Sequence, residues 1–425
     1  MNRVTLFSNM RVGFRKFSSV VADRATNTHN YISPKPTVKQ LSSQSQVEKY
    51  SIGKKKYWKE AASLMIVAKD NDSFANAGTE FDYHVLFMKR QGGGNAFGGA
   101  SVFPGGVVDD ADFSPKWLQY FEKLGIKNLS QFGWAHMEGK QRAGPLAASR
   151  EPGLLPNDVA FRICAIRETF EESGILIADT PANVMQSISN VENKQFSPAT
   201  LHPDLSPEEF LEWRDRVYKD ANQFLVMCQE LDVFPNLWAL FELSNSLTPR
   251  ASSRRFDTVF YVSTFDVLPS ITIDEREMEN KQWLTPAEGL KLHCQGDIYL
   301  VPPQFLECSR FLDFPKMTDV QSYAAKIMDE GKVISLPVGF YLKDCLLHTL
   351  PGDDCYPKNV SFASISEIPK LDETEEENLR RVKALHRITF FPDGSFTFRC
   401  NITLPHGEHP PRDIDSKEWL QDPNL

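Results

Sequence analysis

Glu168, Glu171 and Glu172 are the side chains of this chain best placed to do chemistry together. They lie in DVAFRICAIRETFEESGILI, residues 158–177, which predicts a helix closed by Gly174 and capped by Asn157 or Asp158. At about 100° per residue, Val159, Ile163, Ile166 and Phe170 form one narrow apolar stripe, and the three glutamates cluster roughly opposite it. Carboxylates one turn apart repel each other. A bare Glu-x-x-Glu-Glu is ordinarily a solvated acidic face. The alternative is a hard divalent cation held among the oxygens, which removes the repulsion. Phe161 and Cys164 fall on the glutamate side, which is odd for a face that only meets water.

A strand SVF runs into Pro104-Gly105-Gly106, and an acidic loop with Asp112 follows. Ala62–Ala68 and Tyr83–Lys89 read as the preceding strands. After Lys89-Arg90 comes a loop with Gly92, Gly93, Gly94, Gly98 and Gly99. It is neither a Walker loop, since no Gly-Lys-Ser/Thr follows, nor a Gly-x-Gly-x-x-Gly turn. Residues 113–157 look inserted, with one short amphipathic helix at Trp117, Phe121 and Leu124. Ser206-Pro207-Glu208-Glu209 predicts a helix start, continuing to about Glu230. Leu237–Glu242 and Thr258–Phe265 are strands flanking the cations Arg250, Arg254 and Arg255. Asp274–Asn280 is an acidic loop, and Pro286 and Pro302 open helices. Ile388–Phe391 and Phe396–Cys400 make a hairpin around Pro392-Asp393-Gly394-Ser395.

The net charge of −9 excludes a global basic footprint, so DNA is not expected as a partner and RNA is disfavoured. Seven cysteines with no Cys-x-x-Cys pair read as reduced, structural thiols. No apolar run reaches the length of a membrane span. Residues 1–50 read as a targeting segment and linker. Arg3, Arg11, Arg15 and Lys16 precede the first acid, Asp23, and Arg15-Lys16-Phe17-Ser18 resembles a mitochondrial processing site. The last residues, Pro423-Asn424-Leu425, keep only the final Leu of a peroxisomal address.

Gly106, Asp112 and Arg167-Glu168-Thr169-Phe170-Glu171-Glu172-Ser173-Gly174-Ile175 together resemble the box of the Nudix hydrolases. That pattern has Gly, five residues, Glu, seven residues, then Arg-Glu-aliphatic-x-Glu-Glu-x-Gly-aliphatic. Asp112 stands where Glu is expected and Thr169 where an aliphatic is expected. Phe113 to Ile166 stands where the pattern has seven residues. Such a loop can lengthen at modest entropic cost, because closure cost grows only logarithmically. A split box of this kind is similar to that of the coenzyme A diphosphatase subgroup, the Nudix motif 19 type. The resemblance extends to Leu247-Thr248-Pro249, Arg254-Arg255-Phe256-Asp257-Thr258, Gln282-Trp283, Pro302-Pro303-Gln304-Phe305 and Leu350-Pro351-Gly352-Asp353.

The resemblance implies an α/β fold: a Nudix-type α/β/α sandwich on a mixed sheet over about 55–315, with inserted helical segments. Residues 316–425 would form an α+β extension packed on it. It implies metal-dependent hydrolysis of a nucleoside diphosphate-linked substrate, with Mg²⁺ or Mn²⁺ on Glu168, Glu171, Glu172 and the Gly106 carbonyl. Arg167 would orient a carboxylate, and Glu277 would add an acid from the later loop, with Glu275 and Glu279 as competitors. The substrate class implied is coenzyme A or acyl-coenzyme A, cleaved to 3′,5′-ADP and a 4′-phosphopantetheine product. Arg90, Arg250, Arg254 and Arg255 are the candidate phosphate-binding cations. Hydrolysis of ADP-ribose, a dinucleotide or an RNA cap, and a Nudix-fold binding module without catalysis, are the competing readings. Peroxisomal relatives within the subgroup set a second expectation beside the mitochondrial one.

Overall fold

The computed structural model describes residues 58–69, 80–92, 97–135, 144–148, 150–193, 196–199, 206–328, 330 and 332–420. The targeting segment and linker, Gly93, Gly94 and the C-terminal tripeptide lie outside them. Four strands precede the insertion: β1 (Lys59–Ala68), β2 (His84–Arg90), β3 (Ser101–Val102) and β4 (Gly105–Val107). After it, β5 (Ala178–Asp179) and β6 (Phe234–Pro235) form a small antiparallel pair. The strands β7 (Phe241–Leu247), β8 (Phe256–Phe265), β9 (Met278–Leu284) and β10 (Ile334–Ser335) then complete the main sheet.

Its order is β10-β7-β8-β1-β2-β3, with β4 also on β1 and β9 also on β2. β1 runs parallel to β8 over its full length and antiparallel to β2 and β4, so the sheet is mixed. The centre of β1, Leu64–Ala68, is buried on both faces, as a continuous apolar run demands. The α-helices preceding the last main-sheet strand are, in chain order, α1 (Lys116–Phe121), α2 (Asn157–Ser173), α3 (Pro181–Glu192), α4 (Pro207–Lys219), α5 (Asn222–Glu230), α6 (Pro286–Gln295), α7 (Pro302–Phe311) and α8 (Met317–Ile327). On β8, Tyr261 lies under the Arg162 guanidinium of α2, 5.0 Å from the ring centre. Thr264, three residues on and so on the opposite face, accepts from Gln321 of α8 at 3.0 Å. Helices therefore cover both faces, which is the expected α/β/α sandwich.

The inserted segment is folded onto this core. Trp117 and Phe121 of α1 are buried; Phe121 meets Phe132 edge-on at 5.3 Å, and Phe132 stacks on Trp238 at 6.0 Å. The stretch expected as one helix to Glu230 is broken instead. Asp220 adopts an extended conformation at the end of α4 and accepts from the backbone N–H of Asn222, starting α5.

A second sheet contains β11 (Val338–Tyr341), β12 (Leu346–Thr349), β13 (His386–Phe390), β14 (Phe396–Cys400) and β15 (Ile414–Asp415), all antiparallel. Its Asp353 receives both arms of Arg387, at 2.7 and 2.6 Å, in a fully buried pair. The Leu-Pro-Gly-Asp motif is thus an anchor of the C-terminal sheet. β10 pairs with Asn245-Ser246 of the main sheet and α8 packs on β8, so the first layer system continues to Ser335.

Candidate active site

α2 is buried on nearly every side, with Glu171 and Glu172 buried and Glu168 half-buried. The solvated acidic face is therefore not what the helix presents. Its start differs from expectation: Pro156 occupies the N-cap without a side-chain bond. Asn157 instead accepts from Arg150 at 2.6 Å and donates to the Ala148 carbonyl at 2.7 Å, tying the inserted segment to the helix. Its end is as expected, with Gly174 left-handed at φ 79° and donating to the Phe170 carbonyl. Thr169, where an aliphatic was expected, donates its hydroxyl to the Ala165 carbonyl at 2.7 Å and so leaves no orphaned polar group in the core.

Arg167 is the hub. Its Nε and Nη2 donate to the two oxygens of Asp112, each at 2.9 Å. Its Nη1 donates to Glu168 at 2.9 Å and Glu171 at 2.8 Å. The fork is 4% exposed and Asp112 1%, so Asp112 orients Arg167 and Arg167 orients two of the box carboxylates. Asp112 thereby gains a role that its spacing from Gly106 alone could suggest. Arg214 of α4 is a second positioning residue, and no motif announced it. Buried, it donates to the carbonyls of Glu171 at 2.6 Å and Glu172 at 2.7 Å, satisfying the last turn of α2.

The glycine turn faces the same helix. Gly105 N–H donates to Glu172 at 2.9 Å. A Cβ on Gly106 would sit 2.2 Å from Glu168 Oε2, so the backbone here approaches the carboxylate as only glycine permits. Arg90, at the end of β2, reaches Glu172 and Glu277, each at 3.3 Å. The structure thus brings Glu277 to the box, whereas Glu279 pairs with Lys89 at 3.1 Å. Burial pushes the Glu168 carboxyl up to about 7 against the pull of Arg167, raises Glu171 likewise, and holds Glu172 well above the usual range.

Glu168, Glu277, Arg90 and Gly106 line a cavity of about 2710 Å³ between the two sheets. Arg250, Arg254 and Arg255 do not line it. Arg255 is buried and donates to the carbonyls of Thr248 and Phe362, joining the main sheet to the C-terminal segment. The expected cation cluster is therefore a structural brace at Arg255, and Arg90 is the member of the four that reaches the site.

The donor chemistry fits a hard divalent cation: crowded carboxylates that burial drives towards protonation, beside a glycine carbonyl. Among the described residues no group of three acidic, His or Cys side chains forms a ready-made metal cage. The guanidinium groups of Arg90 and Arg167 pair with these carboxylates.

Comparison with known families matches residues 58–311 to the NUDT19 Nudix domain and residues 339–401 to the NUDT19 C-terminal domain. A protein of Xenopus laevis named acyl-coenzyme A diphosphatase NUDT19 is 33% identical over 85% of this chain and 97% of its own length. Proteins of the same name from Gallus gallus and Homo sapiens are 34% and 32% identical. The first covers 82% of this chain and 93% of its own length, the second 73% and 81%.

Proposed function

This chain belongs to the Nudix hydrolases, and from that membership we propose that it hydrolyses the diphosphate of coenzyme A and acyl-coenzyme A. The products would be 3′,5′-ADP and 4′-phosphopantetheine or its acyl derivative. The observation that carries the reading is the Asp112–Arg167 clamp on Glu168 and Glu171, set against the Gly105-Gly106 turn at the wall of a cavity. The names carried by relatives aligned over most of the chain support the substrate class.

Glu168, Glu171, Glu172 and the Gly106 carbonyl would hold the cation, Mg²⁺ or Mn²⁺ by donor type. When bound, the cation neutralises charge on the diphosphate and lowers the pKa of the attacking water. The protein's own part is positioning. Arg167, anchored by Asp112, fixes two carboxylates. Glu277 is held by Arg90 and, being a third exposed, can accept the proton of water attacking a diphosphate phosphorus. Arg90 then has a second use, because a guanidinium released from these carboxylates can bind the substrate's phosphate.

The test is hydrolysis by purified protein with Mg²⁺ of coenzyme A, lauroyl-coenzyme A, ADP-ribose, NADH and capped RNA. Cleavage of the coenzyme A compounds is expected, with Glu171→Gln at least about 100-fold slower at unchanged fold. Preference for ADP-ribose or capped RNA would overturn the substrate class, and binding without hydrolysis would make this a module without catalysis. For location we infer mitochondria from the acid-free basic N-terminus, with the peroxisome as the other reading of the subgroup. A reporter fused to residues 1–40 tests it.

A further inference from the structure

Glu168, Glu277 and Arg90 line a cavity whose volume, about 2710 Å³, exceeds by more than twofold the roughly 300–1,000 Å³ usual for a small-molecule site. The rest of that volume is walled by the C-terminal sheet. Register explains why this wall is apolar. Leu346 and His348 of β12 pair with Phe390 and Ile388 of β13, which pair in turn with Phe396 and Phe398 of β14. Directly paired residues share a face. One end of that face is closed by α7, where Phe305 meets Phe396 and Phe398 edge-on at 5.2 and 6.2 Å. The other end, Leu346 and Phe390 with Tyr341 beside them, is only half-buried and lines the cavity.

A polar group stands beside Phe305 on α7. Gln304, from the Pro-Pro-Gln-Phe motif that the metal site leaves unused, lines the cavity at 4% exposure. Its Oε1 is buried and has no hydrogen-bond partner among the described residues. Leaving a buried amide oxygen unpaired is costly, so a ligand N–H there regains a bond that folding left unmade. The preceding residue pair, Leu300 and Val301, runs beside Ser101 and Val102 of β3, the strand that leads into Gly105-Gly106. The acceptor and the glycine turn are therefore joined along one wall of one cavity.

We propose that this cavity binds the acyl-pantetheine arm of the substrate, with Gln304 accepting an amide N–H and the acyl chain lying on Leu346, Tyr341 and Phe390. The proposal rests on the coenzyme A reading, and it adds that the C-terminal domain selects for chain length. An elongated ligand with a diphosphate, amides and an apolar tail finds a counterpart to each in this one cavity: carboxylates, an amide acceptor and an apolar face.

Two readouts test it. In the first, kcat/KM is compared for coenzyme A and lauroyl-coenzyme A. Leu346→Asp is expected to lower the lauroyl value at least tenfold, chiefly through KM, and to leave the coenzyme A value within twofold. Gln304→Leu is expected to raise KM for both while leaving thermal stability equal or higher, since it removes an unpaired polar group. In the second, lauroyl-pantetheine, which has no diphosphate, is titrated calorimetrically into the metal-free protein. Binding that Gln304→Leu and Leu346→Asp each weaken supports the site even if no coenzyme A compound is hydrolysed, in which case only the activity reading fails. For Leu346→Asp, equal loss on both substrates or no loss on either overturns the proposal, as does no binding of lauroyl-pantetheine. Phe390→Ala replaces Leu346→Asp, with the same expectation, if the aspartate variant does not fold.

Discussion

Arg167 shows how much one side chain carries here. It makes four hydrogen bonds to Asp112, Glu168 and Glu171 and one to the Val107 carbonyl in near-complete burial, a geometry that the single ammonium of lysine cannot reproduce. Removing it leaves buried carboxylates uncompensated, so Arg167→Ala is expected to destabilise the protein by about 3–5 kcal/mol in denaturant unfolding. Arg167→Lys should recover part of that stability and little activity. The buried acids also set a pH dependence. The Glu168 carboxyl rises from the usual 4.5 to about 7, so between these values the folded protein holds a proton that the unfolded chain has released. Stability of metal-free protein should therefore fall as pH rises through that window. A divalent cation, which competes with the proton, should stabilise more at about pH 8 than at about pH 5.5. Melting curves with Mg²⁺ and with EDTA at both pH values check the sign, and a larger Mg²⁺ effect at the lower pH would refute it.

At the scale of elements, a glycine turn and a helix meet face to face without a chain segment between them. Gly106 has an ordinary backbone conformation, and what excludes a side chain is the Glu168 carboxylate 2.2 Å from its Cβ position. Gly106→Ala should therefore displace Glu168 and cut turnover at least about 100-fold with a modest stability loss. Gly105 differs in kind. Its φ of 153° and a Cβ position 2.3 Å from the Ala62 carbonyl put the clash in the β1 backbone itself. Gly105→Ala should cost more stability than Gly106→Ala in parallel denaturant unfolding, because backbone cannot rotate away. α4 belongs to this scale too, since Arg214 holds the carbonyls of Glu171 and Glu172 from outside the box.

Over the whole molecule, two sheets are joined through an aromatic contact. Phe305 of α7 is 3% exposed and packs on Phe396 and Phe398 of the second sheet. Phe305→Ala is expected to cost about 3–5 kcal/mol and to lower the midpoint of unfolding followed by aromatic fluorescence. A midpoint unchanged from wild type would mean that the two sheets are held by other contacts. The seven cysteines are all free thiols, so the fold owes its stability to packing of this kind rather than to cross-links.

Much of the site was legible from local spacing. Arg167, Glu168, Glu171, Glu172 and Gly174 share one helix, and helical geometry alone puts the three carboxylates on one side. Capping chemistry likewise located the start of α4, whose box at Ser206 forms as read, and Pro286 located that of α6. What local spacing does not contain is which residues distant in the chain meet. The pairing of Asp112 with Arg167 spans the inserted segment, and Arg214 reaches the helix end from a different element. Arg254 and Arg255 looked as available for phosphate as Arg90, because a sequence states charge and not direction. The fold turns the Arg255 guanidinium onto backbone carbonyls and brings Arg90 to Glu172 and Glu277. The same holds for the acidic face. Periodicity fixes which side of a helix carries the glutamates, but whether water or protein covers that side is decided by every other element that packs there.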